Sequence, residues 1–409
     1  MKNWKRTFYV IWTGQFFSLM TSAIVGYAAV FWLSLETKSA SVLAIATIAS
    51  LLPQGLLGPF SGTLIDRWDR KKVMIISDLF IAFWSVVLAI MILYGEAKIE
   101  YIYIILSLRS IGSSFHAPAM QASVPLIAPE SELTRIAGIN QIINSSTNIA
   151  GPALGALFIA NLNLGFILLI DAAGAVIASS SLLFVHIPNP KKEEIVKPHI
   201  IREMKQGFSI IHKNKGIFQL FIVSMLFMLF IMPISVIFPL ITLEHFGGST
   251  FEMSIVEVFW GIGMILGGLI IGIFKLKWNE IIIINLTMIL TGFLFAGAGL
   301  LPSSAFVVFV IITAIGAIIA AIHSAIFTST LQKNIATEAL GRVFAMYYSF
   351  AVLPSLIGVA ATGFIADALG SMLTMTIAGA LIIILGFIAM TAKEMIAIGS
   401  DDKAPLPPA

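Results

Sequence analysis

"GTLIDRWDRKKV", residues 62–73, carries six charges within positions 66–72 of a chain in which only 11% of residues are Asp, Glu, Lys or Arg. On either side the polarity vanishes. "VLAIATIASLLPQGLLGPF" precedes the stretch and "VMIISDLFIAFWSVVLAIMIL" follows it, and about 20 apolar residues rising 1.5 Å each span a hydrocarbon core of roughly 30 Å. The charged stretch is therefore a loop between two membrane helices. A composition of 58% hydrophobic residues and a mean hydropathy of +0.99 agrees, since both lie outside the range of soluble domains.

The same criterion predicts twelve apolar runs, near 8–34, 42–64, 73–94, 99–122, 137–160, 165–187, 216–243, 253–274, 280–300, 305–328, 341–366 and 370–392. The first is too long for the core of a signal peptide and reads as a retained helix. Cysteine is absent, which excludes disulfides and thiolate chemistry. With a cytoplasmic N-terminus, 21 of the 24 Lys and Arg fall in cytoplasmic segments, Lys38 and Lys98 lie outside, and Arg109 lies within the membrane. This places the chain in the cell membrane as a multi-pass protein with both termini cytoplasmic. The positive charge then faces the anionic inner leaflet, so a pI near 9 needs no nucleic-acid partner.

The long polar interval "HIPNPKKEEIVKPHIIREMKQGFSIIHKNKG", 186–216, divides the runs six and six. The expected organisation is an N-terminal half over 1–187, a linker over 188–215, a C-terminal half over 216–392 and a cytoplasmic tail over 393–409. Displacing the chain by 207 residues places His116 on His323, Ser123 on Thr330, Leu133 on Leu340 and Arg135 on Arg342. An offset of half the chain is what a duplicated six-helix unit requires. The fold class is an all-α membrane protein of twelve transmembrane helices in two pseudo-equivalent six-helix halves.

Gly62, Asp66, Arg67, Arg70 and Lys71 resemble the loop 2–3 signature of the major facilitator superfamily, G-x-x-x-D-R-x-G-R-K, with Asp69 where glycine is usual. Gly151, Pro152 and Gly155 in "GPALG" resemble the helix-five signature of its drug antiporters, and Arg109 in "LRSIGSSFHAPA" the arginine of helix four without its usual following glutamine. Across the chain, and most of all in "RSIGSSFHAPAMQASVPLIAPESELTRIAG", "IREMKQGF" and "LGRVF", the sequence is similar to the macrolide-efflux branch. The resemblance implies the major facilitator fold, proton antiport, and a latch in which Asp66 sits against the positive N-terminal dipole of helix eleven near Gly341. Arg67, Arg70 and Lys71 serve first to hold the loop inside, with a latch role also open.

A charge inside the membrane is expensive and needs a partner. Arg109 therefore requires one of Asp171, Glu257 or Asp78 as counter-ion, and the same carboxylates are the candidates for proton coupling. Glu257 and Asp171 lead, while Asp78, six residues beyond Lys72, fits a cytoplasmic charge network. Gln15, Ser18 and Ser22 in helix one and Asn140, Asn144 and Asn148 in helix five each have helical spacing for a single polar face. The 207-residue offset sets the helix-one trio against Ile222, Met225 and Leu229, which predicts a cavity with a polar N-terminal wall and an apolar, adaptable C-terminal wall. Met225, Trp260 and Tyr347 are the cavity candidates of that second wall. His116 and His323 are expected to be satisfied structural groups near the cytoplasmic end.

The function these features favour is export of a lipophilic small molecule by proton antiport and alternating access. An exporter of an endogenous metabolite or siderophore shares the same motifs, and a membrane-embedded enzyme or receptor is the alternative of another class. Against the latter stands the lack of any catalytic constellation: no H-E-x-x-H and no G-x-x-x-x-G-K-[ST] occurs, so neither a metal nor another cofactor is expected, nor an ATP site in this chain. Protons, lipid and the lipophilic substrate are the partners implied.

Overall fold

The loops between the predicted spans close with capping chemistry. Asp69, the departure from the loop signature, is the N-cap of the third helix and accepts from the Lys72 amide at 3.1 Å. Asn163, Asn214 and Asn279 cap three further helices in the same way, accepting from Gly165, Ile217 and Ile281 amides at 2.8, 3.1 and 2.9 Å. Such side chains satisfy amides that the first helical turn leaves without partners.

The computed structural model describes residues 4–65, 68–95, 98–129, 132–188, 208–273, 278–335 and 337–399. Twelve long helices run through them: α1 (Trp4–Thr37), α2 (Ala40–Ile65), α3 (Arg70–Leu93), α4 (Ile99–Ile127), α5 (Leu133–Asn161), α6 (Leu164–Leu183), α7 (Lys215–Leu240), α8 (Thr250–Ile273), α9 (Glu280–Ala298), α10 (Phe306–Asn334), α11 (Thr337–Leu369) and α12 (Ser371–Met390). Among the described residues, eleven of these are long and apolar enough to cross a membrane. The remaining one, α4, carries Glu100, Arg109 and His116.

The surface differs from that of a soluble bundle. Ile76, Phe83, Phe166, Val176 and Phe364 are each more than half exposed, whereas Gln15, Asp78, Ser85, Asp171 and Asn285 are buried. An apolar surface, with the few intramembrane polar and charged groups turned inward, suits hydrocarbon as the solvent.

Contacts gather the chain into two units, Met1–Glu36 with Ile45–Pro198, and Thr37–Ala44 with His199–Ala409. In the first, α3 packs on α4 and α6; in the second, α9 packs on α10 and α12, the same neighbours six helices later. The expected first half thus yields one short segment to the second unit. Asp367, near the end of α11, accounts for this: its carboxylate accepts from the Ala40 amide at 2.6 Å, the Ser41 amide at 3.1 Å and the Ser39 hydroxyl at 2.9 Å, capping the start of α2 from a distant part of the sequence.

The stretch expected as the cytoplasmic tail opens with a docked helix, α13 (Lys393–Ala397). Met395 is fully buried, its amide donates to Gln219 Oε1 at 3.1 Å, and Asn279 and Asn334 donate to the Ile396 and Ile398 carbonyls at 2.9 and 3.1 Å. These contacts, with a Lys215–Glu394 ion pair at 3.6 Å, hold a helix too short to persist alone.

Candidate functional site

Two buried carboxylates organise the first unit. Asp171 of α6 is 1% exposed and forms an ion pair with Arg109 of α4. Ser22 of α1 donates to Asp171 at 2.7 Å, and Ser85 of α3 lies 2.9 Å from both the carboxylate and the Ile81 carbonyl, with one proton to share between them. Arg109 also contacts the Ser85 hydroxyl. Four helices therefore supply one charge cluster, in which the cost of burying each ion is offset by its partner and by further hydrogen bonds.

Asp78 of α3 heads a second cluster nearer the α3 N-terminus. His116 Nε2 lies 3.3 Å from its carboxylate, with the Ser18 hydroxyl at 3.4 Å and the Gln15 amide nitrogen at 3.5 Å. Gln15, Ser18 and Ser22 do share one face of α1, but the structure turns that face onto Asp78 and Asp171 rather than onto an open wall. Of the asparagines, Asn140 accepts from Trp12 Nε1 at 2.6 Å, while Asn144 and Asn148 lie exposed on the surface of their unit.

"GPALG" is where α5 meets α1. A side chain on Gly155 places its Cβ 3.1 Å from the Ile24 carbonyl and 3.2 Å from the Ala28 amide nitrogen, and one on Gly151 lies 3.1 Å from Ala23 Cβ. Glycine at both positions permits this close approach, and Pro152 lies within α5 between them. In the opening loop, Asp66 and Arg67 fall outside the described residues, and Gly62 lies in the last turn of α2. Arg70 is buried at the start of α3, and Lys71 donates to the Val185 carbonyl at 2.8 Å and the Leu183 carbonyl at 3.4 Å. Lys71 thereby clamps the C-terminus of α6, whose last carbonyls favour a cation.

The second unit holds a cavity of about 290 Å³. Met228, Met232, Met264, Phe227, Phe238 and Phe295 supply its apolar wall, and the expected Trp260 and Tyr347 line it as well. Met225 does not. The offset that relates the halves carries Arg109 to Gly316, Ser85 to Gly292 and Asp171 to Ala378. The positions that hold the ion pair in the first unit are thus side-chain-poor in the second, and Gly316 itself lines the cavity over the Phe295 ring. Asp78 is carried to Asn285 and His116 to His323.

His323 is the functional candidate that the sequence pattern did not separate from packing. It is buried yet lines the cavity, with Thr287 Oγ1 2.9 Å from its Nδ1 and the Phe227 ring centred 4.8 Å away. Glu257 of α8 precedes the cavity residues Trp260 and Met264 by three and seven positions, which sets it on their face of the helix. Among the described residues its carboxylate has no side-chain hydrogen bond or ion pair. No cluster capable of holding a metal occurs among the described residues.

A multi-pass helical membrane protein built from two six-helix units, with a paired charge cluster in one and an apolar cavity in the other, is the class that these elements define. The sequence profile of the Major Facilitator Superfamily matches residues 11–359, and the chain belongs to that family. Macrolide efflux protein A of Streptococcus pyogenes is 39% identical over 394 residues, covering 96% of this chain and 97% of that protein. A macrolide efflux protein A of Enterococcus faecalis is 40% identical over 321 residues, covering 78% and 99%. Among solved structures, a bacterial homologue of the human lysosomal transporter Spinster superposes with a TM-score of 0.76 at 12% identity, covering 98% and 99% of the two chains, which shows the shared fold.

Proposed function

We propose that this chain is a secondary active exporter of lipophilic compounds of the macrolide type, driven by proton antiport through alternating access. The observation that carries this reading is identity of 39–40% to two macrolide efflux proteins over most of the chain. The cavity supports it chemically, because methionine and aromatic side chains accommodate bulky, irregular guests. Both termini face the cytoplasm in this reading, and Asp66, Arg67, Arg70 and Lys71 form the cytoplasmic latch of the superfamily with Gly62.

Of the proton-coupling candidates, Glu257 takes the leading role. Asp171 is paired with the Arg109 guanidinium, and Asp78 accepts from Ser18 and Gln15, whereas Glu257 stands without a partner among the described residues on the cavity side of α8. A carboxylate that no cation holds ionised is the one that can exchange a proton during a cycle. A susceptibility and accumulation panel in an efflux-deficient host, comparing macrolides with other lipophilic drugs and dyes, tests the substrate class. Accumulation that stays unchanged for every compound on expression of the protein contradicts the proposal.

A further inference from the structure

We infer that His323 is a specificity-determining residue of the second unit's cavity: it presents a bare imidazole nitrogen that selects lipophilic guests bearing a hydrogen-bond donor, a hydroxyl or an N–H, over donor-free guests of the same shape. The inference rests on the cavity being a guest site, as proposed above, and adds what that site reads.

The protons can be followed one by one. Thr287 Oγ1 lies 2.7 Å from the Ile284 carbonyl and donates to it, and the same oxygen lies 2.9 Å from His323 Nδ1. A hydroxyl has a single proton. With that proton committed to the carbonyl, the Thr287 oxygen faces Nδ1 as an acceptor, so Nδ1 carries the hydrogen of the neutral ring. Nε2 is then the unprotonated nitrogen. The contact with the Phe227 ring, tilted 36°, fixes the plane of the imidazole.

Two further polar groups of the wall are committed in the same sense. The Ser235 hydroxyl donates to the Met232 carbonyl at 2.8 Å and the Thr328 hydroxyl to the Ser324 carbonyl at 2.9 Å, which turns both protons back into their own helices. What these groups offer a guest is lone pairs. At the His323 acceptor, a donor-bearing guest recovers the hydrogen bond it loses on leaving water, and a donor-free guest leaves the acceptor unmet.

The test uses detergent-purified full-length protein and two fluorescent probes, N-phenyl-1-naphthylamine with one N–H and its N-methyl derivative without it, after subtraction of protein-free micelles. Wild type is expected to bind the N–H probe about five- to tenfold more tightly, in keeping with one neutral hydrogen bond. His323→Phe, which keeps a ring and removes the acceptor, is expected to abolish that preference while binding the N-methyl probe within about twofold of wild type. An independent reading on wild-type protein labelled with ¹⁵N-histidine needs no folded variant: His323 Nε2 must give the resonance of an unprotonated nitrogen and shift when the N–H probe is added. Equal binding of both probes by wild type, an equal loss of both in His323→Phe, or a protonated Nε2 overturns the inference and leaves the exporter reading standing. If neither probe binds wild type, the cavity is not a guest site, and that part of the proposed function falls together with this inference.

Discussion

Replacing Asp171 with Asn removes the counter-ion of a guanidinium whose side chain is only 12% exposed. Breaking a buried ion pair from one side costs about 3–5 kcal/mol, because the remaining charge stays desolvated. The asparagine oxygen keeps one acceptor for Ser22 or Ser85, which now donate at 2.7 and 2.9 Å, so the lower part of that range, about 3–4 kcal/mol, is expected. Arg109→Met leaves Asp171 buried with only hydroxyl donors and is expected to cost as much. The double variant Arg109→Met/Asp171→Leu removes both charges and both desolvation costs, and it is expected to recover most of the loss, finishing within about 1–2 kcal/mol of wild type. Thermal melting of purified protein, with monodispersity by gel filtration, reads all four members of the cycle. Single variants that melt as wild type does, or a double variant less stable than either single, refute the pairing.

Glu257→Gln is expected to retain substrate binding and to lose uphill, gradient-driven transport, measured side by side as ligand affinity and flux in proteoliposomes; retained uphill transport transfers the coupling role to Asp171 or Asp78. Gly155→Val forces a branched side chain against the Ile24 carbonyl and Ala28 amide and is expected to destabilise the protein by about 1–3 kcal/mol, read as a lower melting temperature. Since the chain has no cysteine, single cysteines at Lys71, Lys192 and Lys277 are expected to react with an impermeant reagent from the cytoplasmic side only, and those at Lys38 and Gly248 from outside; the reverse pattern inverts the topology.

Much of the fold was legible because a hydrocarbon solvent imposes simple length and charge rules. Twelve apolar runs became twelve helices, and Asp69, out of place in the loop signature, found its reason as an N-cap. That Arg109 must meet a carboxylate followed from the cost of a buried charge. Which of three acids it meets did not, since helical spacing fixes a face but not its neighbour. The same gap misdirected Gln15, Ser18 and Ser22, whose common face was apparent but whose targets, Asp78 and Asp171, lie on other helices. In α7 the methionine-rich character was legible, yet the cavity takes Met228 and Met232 rather than Met225. His323 was hidden because its neighbours lie on other helices, Thr287 on α9 and Phe227 on α7.

Whether a proton gradient drives export is read by reconstituting the purified protein into liposomes and following a radiolabelled macrolide under an imposed pH gradient. The substrate is expected to accumulate against its own gradient on the proton-rich side, to reverse direction when the pH gradient is reversed, and to stop accumulating when a protonophore collapses it. Flux that ignores the size and sign of the pH gradient contradicts proton antiport.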